Sequence, residues 1–304
     1  MKPAAPPFQL LATVSDFAAH FGFPAPAHPL LTVVDLANHR HPPVTGPALR
    51  QLYIISLKKN LKGQLQYGRR SYDFREGVLA FYAPGQMCTA DATVDVSEVE
   101  GWMVVFHPDL LARYPLGKKI TGYGFFSYLV SEALHLSARE EQQLNNVFRS
   151  LLEEHQQPVD AFSQDVLVAQ LDLLLSYANR FYHRQFLTRR TTEHDLLSRF
   201  EELVTAYFAR DEPEQPLPTV QHFADALHVS PAYLSDLLRT LTGQTTQQHL
   251  HHALIEKAKR LLLTTSLTVN ETAFQLGFEY PQYFSRLFKN KTGQTPAAFR
   301  FSAQ

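Results

Sequence analysis

The chain has 304 residues, 45% of them apolar and 19% charged, with a formal net charge of −1 and a single cysteine. That is enough chain for two cores, and the composition is that of a globular protein rather than a disordered or membrane-spanning one. "FQLLATV" is too short for a secretory signal, and Cys88 alone excludes an internal disulfide framework, so a reducing cytoplasm is expected, with Cys88 as a small core residue.

The first 45 or so residues are proline-rich, with a short helix at "SDFAAHFG" that Gly22 would end. Residues 50–107 read as β. The apolar runs "LYIISL", "GVLAFYAPG" and "WMVVFH" are separated by turn-like segments without intervening helices, as in a small barrel or sandwich. Tyr53, Phe74, Phe81, Tyr82, Trp102 and Phe106 suit either core positions or the wall of a small-molecule pocket. Arg69 and Arg70 beside Tyr72 suit an anionic ligand or a solvated edge.

From about residue 108 the period becomes helical. Pro108 stands where a helix starts, and "SARE" (Ser137, Glu140) is a capping box. The helix it opens carries Leu144, Val147, Phe148, Leu151 and Leu152 on one stripe, which either packs on the barrel or pairs with its twin in a dimer. "FSQDVLVAQLDLLLSYANRFYHRQF" continues as a long apolar-faced helix, and "ARDEPEQPLPT" (209–219) is a loop. These shifts divide the chain into 1–160, an effector-sensing and dimerising domain; 161–198, a helical connector; and 199–304, an all-helical domain.

The last hundred residues contain a repeat. "HVSPAYLSDLLRTLTGQT" and "GFEYPQYFSRLFKNKTGQT" match at Pro231/Pro281, Tyr233/Tyr283, Ser235/Ser285, Leu238/Phe288, Gly243/Gly293 and Gln244/Gln294, among other positions, with an offset of 49 before the turn and 50 after it. Each copy reads as helix, tight turn, helix. The turn takes Gly277 in the second copy and His228 in the first, and the second helix opens at Pro after a Ser230-type cap. This is the helix-turn-helix, whose second helix enters the DNA major groove. Phe284, Leu287 and Phe288 are expected in the core, leaving Gln282, Tyr283, Ser285, Arg286 and Lys289 on the surface. Between the copies, residues 246–264 form a 19-residue helix, about 28 Å long, with Lys257, Lys259 and Arg260 available for phosphates. From Pro216 onward eight Lys/Arg face five Asp/Glu, which leaves −4 for the rest of the chain.

"AKRLLLTTSLTVNETAFQLGFEYPQYFSRLFKNKTGQTPAAFR" resembles the C-terminal signature of AraC/XylS-type transcription regulators, and the upstream half resembles the cupin-like effector domain that precedes it in many members. The resemblance implies a two-domain α+β chain. Its N-terminal domain would be a cupin-like barrel with flanking helices, and its C-terminal domain a pair of helix-turn-helix units joined by a connecting helix. It implies base-reading positions at Pro281, Gln282, Tyr283, Ser285 and Arg286, and at Ala232, Ser235, Asp236 and Arg239 in the first copy. Asp236 stands where the second copy has Arg286, and a carboxylate there needs a cytosine amine or Arg239. The first copy therefore either reads bases or only positions the second.

The expected partners are double-stranded promoter DNA, a small-molecule effector bound near Tyr53, Arg69, Phe74, Phe81 and Trp102, RNA polymerase, and a second copy meeting along Leu144, Val147, Phe148 and Leu151. The expected location is the bacterial cytoplasm, on the nucleoid when bound. A metalloenzyme is disfavoured because "GQLQYGRRSYDFREG" holds no histidine where a cupin metal site needs them. His249, His251 and His252 are better read as solvated or phosphate-facing, so no metal or cofactor is expected. A non-DNA-binding interaction protein built on the same helices is the remaining alternative.

Overall fold

Alternating apolar positions in the first third become strands in the computed structural model, which describes residues 8–39, 47–59, 77–89, 99–188, 190–209 and 216–302. The strands are β1 (Gln9–Leu11), β2 (Leu31–Asp35), β3 (Pro47–Arg50), β4 (Tyr53–Lys59), β5 (Val78–Tyr82), β6 (Gln86–Thr89), β7 (Glu100–Phe106) and β8 (Leu134–His135). They form a three-stranded sheet, β1-β3-β6, and a five-stranded sheet, β2-β7-β4-β5-β8. Helix α1 (Val14–Phe21) starts on a Thr13 capping box and ends at Gly22 with φ 69°. Gly101 in β7 has φ 124°, and a Cβ there would lie 2.1 Å from the Leu57 carbonyl oxygen, so only glycine fits between these strands.

Register decides which face each strand residue occupies, because neighbours across a sheet share a side. One face of the larger sheet carries the rows Tyr82–Ile54–Val105–Thr32 and Ala80–Ser56–Met103–Val34. Its apolar members Ile54, Val105 and Val34 pack in one cluster with Leu11 and Ala48 of the smaller sheet and Val14, Phe17 and Ala18 of α1. The opposite face carries Tyr53, Phe81, Val104, Trp102 and Phe106.

Helices cover that opposite face. After α2 (Pro115–Lys119) come α3 (Ala138–His155) and α4 (Ser163–Thr188). Ser137 and Glu140 close the predicted capping box at the start of α3. Arg184 of α4 then grips Glu140 with two charge-assisted bonds, Nε to Oε1 at 2.9 Å and Nη2 to Oε2 at 2.6 Å. Burial pushes the Glu140 pKa up, but the Ser137 N–H and Arg184 outweigh it and hold the carboxyl below its ordinary value.

The chain divides into two compact units, Met1–Gln185 and Phe186–Gln304. The expected connector 161–198 is not a body of its own, because Leu167, Leu171, Leu174 and Leu175 are buried and α4 serves as a core helix of the first unit. The second unit contains α5 (Arg190–Ala209), α6 (Val220–Leu227), α7 (Pro231–Thr242), α8 (Thr246–Thr264), α9 (Val269–Gln275), α10 (Pro281–Thr292) and α11 (Pro296–Ser302). It has its own core, from Phe200 and Phe223 through Leu254 to Phe284 and Phe288.

Candidate nucleic-acid interface

The sequence repeat is a structural repeat down to single hydrogen bonds. In the first copy α6 ends at His228, whose φ of 58° is left-handed, and the Val229 N–H donates to the Ala224 carbonyl at 3.0 Å. In the second, Gly277 has φ 87° and the Phe278 N–H donates to the Ala273 carbonyl at 3.0 Å. The helices after these turns, α7 and α10, also end alike. Gly243 and Gly293 take left-handed caps, while the hydroxyls of Thr242 and Thr292 donate to Leu238 and Phe288 carbonyls at 2.8 Å. The helix starts differ: Ser230 caps α7 through the Tyr233 N–H, whereas Tyr280 begins α10 with no side-chain cap.

The outward faces of α7 and α10 are not equivalent. On α10, Gln282, Tyr283, Arg286 and Lys289 are exposed, and Pro281 and Ser285 are half-buried above the core residues Phe284 and Phe288. Leu287, expected in the core, is only partly covered. On α7, Arg239 is exposed and bonds the half-buried Asp236 at 3.3 Å, while the Ser235 hydroxyl meets the Thr246 hydroxyl at 3.1 Å. Ala232 is half-buried, and Tyr233, the counterpart of exposed Tyr283, lies edge-on to the Phe186 ring inside the same unit. Helix α10 therefore presents a guanidinium, an amide and a phenol outward, where α7 presents one ion-paired guanidinium.

Helix α8 spans Thr246–Thr264, the expected 19 residues. Of its three cations, Arg260 is exposed, Lys259 bonds Glu256 at 2.7 Å, and Lys257 is buried, at 6% exposure. Lys257 is thus withdrawn from the phosphate-facing set. It lies seven residues after Leu250 and four before Leu261, on the stripe that packs the core. Lys291, which sequence reasoning left out, joins Lys259, His252 and Gln248 along a groove of about 300 Å³ beside α8. His249 is structural: its Nε2 meets the Thr242 hydroxyl at 2.8 Å and its ring sits edge-on to Phe200. Burial lowers the pKa of His249 and His251, and Lys291 adds to the effect at His251. No group of three or more metal-ligating side chains occurs among the described residues.

The helix-turn-helix domain family matches residues 223–301, and the AraC-like ligand binding domain family matches residues 38–171, together more than half of the chain. The chain belongs to the AraC family. The bifunctional transcriptional activator/DNA repair enzyme AdaA of Bacillus subtilis is 32% identical over 103 residues, which are 34% of this chain and 48% of AdaA. YijO, an HTH-type transcriptional regulator of Escherichia coli, is 27% identical over 191 residues, 63% of this chain and 64% of YijO. The DNA-binding domain of the transcriptional factor AdpA, solved with a target DNA, is 29% identical, with 34% of this chain and 90% of that domain covered and a TM-score of 0.30. The chain spans about half to two thirds of the length of the curated relatives named.

In this AraC-family chain Tyr53, Phe81, Trp102 and Phe106, named as core or pocket wall, lie on the helix-covered side of the sheet, whereas Tyr82 lies on the other face. Tyr53 stacks on Phe106 at 5.2 Å and meets Phe126, and Phe81 packs on Phe125 and Tyr182. Trp102 stacks on Phe148 of α3 and donates its indole N–H to Asn145 at 3.0 Å. Strand parity is the reason: odd positions of β4 and β5, with even positions of β7, face the helices. Arg69 and Phe74 lie outside the described residues. The proposed dimer stripe is also spent within the chain. Leu144, Phe148 and Leu151 are fully buried and Val147 nearly so, because α3 packs on β2 and β7. A twin helix could reach this stripe only by stripping α3 from its own sheet.

Proposed function

We propose that this chain is a sequence-specific DNA-binding transcription regulator whose N-terminal unit binds a small-molecule effector. The observation that carries the reading is the pair of helix-turn-helix units with matching hydrogen bonds, joined by one 19-residue helix within a single core. That helix is about 28 Å long, and successive major grooves on one side of DNA lie about 34 Å apart, which supports two readers in adjacent grooves. In this reading α10 specifies, with Arg286 on guanine and Gln282 on adenine. Helix α7 positions, since Asp236 engages Arg239 and Ser235 engages Thr246. Arg260 and Lys289 neutralise phosphates.

The partners of this reading are promoter DNA, an effector, RNA polymerase and a second copy of the chain, in the bacterial cytoplasm. Regulation rather than catalysis is its business, a reading supported by relatives that are transcriptional regulators and activators. The effector must favour one state of the DNA-binding unit over another, because equal affinity for both states switches nothing. Selection of bound duplexes from a random pool by the full chain tests the reading. It should return a bipartite site with centres about 10 bp apart. Failure to retain any duplex over competitor DNA at moderate salt would end it.

A further inference from the structure

Two buried polar side chains on the inner faces of the two sheets carry hydrogen-bonding atoms without a partner. Arg50 closes β3 on the same side as Ala48, opposite Leu11 of β1, and is 6% exposed. Its guanidinium lies 4.7 Å over the Tyr82 ring of the facing sheet. Its Nε has no hydrogen-bond partner, and among the described residues no carboxylate stands within ion-pair distance of it. Ser56, in the facing sheet, is 1% exposed and its hydroxyl is likewise unpartnered. Ser56 lies two residues from Ile54, the cross-strand partner of Tyr82, so Ser56 and Tyr82 are diagonal neighbours on one face. Ala80 and Met103, the cross-strand partners of Ser56, stay partly exposed although they point inward.

A buried guanidinium keeps its charge, and leaving it without an anion is strongly unfavourable. Buried polar atoms without partners mark places where a ligand completes the hydrogen bonding. The facing groups set the ligand's chemistry. One guanidinium matches one negative charge and offers paired N–H groups in the plane that a carboxylate fits. The apolar side chains of Ala80 and Met103, with the ring of Tyr82, suit an apolar body beside that anion. We propose that the N-terminal unit binds a small organic carboxylate between its two sheets. Arg50 is the anion anchor, Tyr82 stacks beneath the guanidinium, and the Ser56 hydroxyl bonds the ligand's polar end. This site rests on the reading of the N-terminal unit as the effector domain and is independent of DNA binding.

Thermal unfolding of the full chain tests it, with sodium benzoate and sodium hexanoate as probes and benzamide and hexanamide as uncharged controls. At saturating concentration a carboxylate should raise the melting temperature by about 2–4 °C, and the amides should leave it unchanged. Arg50→Met should abolish the shift and, without ligand, melt no lower than the parent, since an apolar side chain replaces an unpaired buried cation. Ser56→Ala should reduce the shift without removing it. The site is overturned if neither carboxylate stabilises the parent chain. It is equally overturned if Arg50→Met melts several degrees lower unliganded and responds to carboxylates as the parent does. Melting is read without DNA, so a chain stabilised by benzoate that fails the duplex selection keeps this site and loses the regulator reading.

Discussion

Arg286 and Lys257 are both cations on helices of the C-terminal unit, yet they have opposite environments. Arg286 is exposed on α10, with no ion pair among the described residues; Lys257 is buried in α8. Replacing Arg286 by Ala should cost about 1–3 kcal/mol at the preferred sequence and relax choice at one base pair. Arg260→Ala should weaken all sequences alike and reduce the slope of log affinity against log salt by about one unit. Titrations of both variants on preferred and scrambled duplexes at several salt concentrations measure this, and identical behaviour would remove the division of roles. The sequence repeat made Arg286 legible, because its flanking Phe284 and Phe288 mark the buried side. Lys257, between the copies, was misleading, because three cations in four residues look solvated until the register of Leu250 and Leu261 is followed around the helix.

Helix α3 on β2 contains an acid-sensitive contact. His155 in its last turn is 8% exposed, and neither ring nitrogen has a hydrogen-bond partner. Burial and then the nearby His28 push its pKa below the ordinary 6.5, and burial does the same to His28. The unfolded chain then binds more protons than the folded one at mildly acidic pH. The stability these histidines allow is complete above about pH 6.5 and is lost as the pH falls below it. Urea midpoints at pH 7.5 and 5.5 should fall for the parent chain and fall less for His155→Leu; equal losses would show that the contact carries no such sensitivity. At this level the sequence announced the helix, its capping box and its apolar stripe. It left open whether that stripe met a sheet or a twin, since an apolar seam is the same text in both cases. The strands were similar: their alternation was plain, but which side faced helices and which faced the second sheet depended on pairings between distant segments.

The division at Gln185–Phe186 gives each half a core of its own, and the C-terminal core draws on residues from Phe200 to Phe288. Residues 190–304 should therefore fold alone as a helical protein with a cooperative melt and bind the duplexes selected by the full chain with the same base preference. Circular dichroism and gel-shift measurements on that fragment check the expectation, and an unfolded fragment would refute it. Read alone, the residues specified the reader: its repeat, its turns, its caps and its bridging helix all depend on neighbours within about 50 positions, so local spacing determines them. The ligand site between the sheets was different. Arg50, Ser56 and Tyr82 come from three strands; the sequence marked Tyr82 only as one aromatic among several, and nothing in the local text sets Arg50 and Ser56 apart. Only the folded pairing shows that Arg50 and Ser56 are buried close to Tyr82 and short of an anion, because burial belongs to the assembled sheets and not to any one segment.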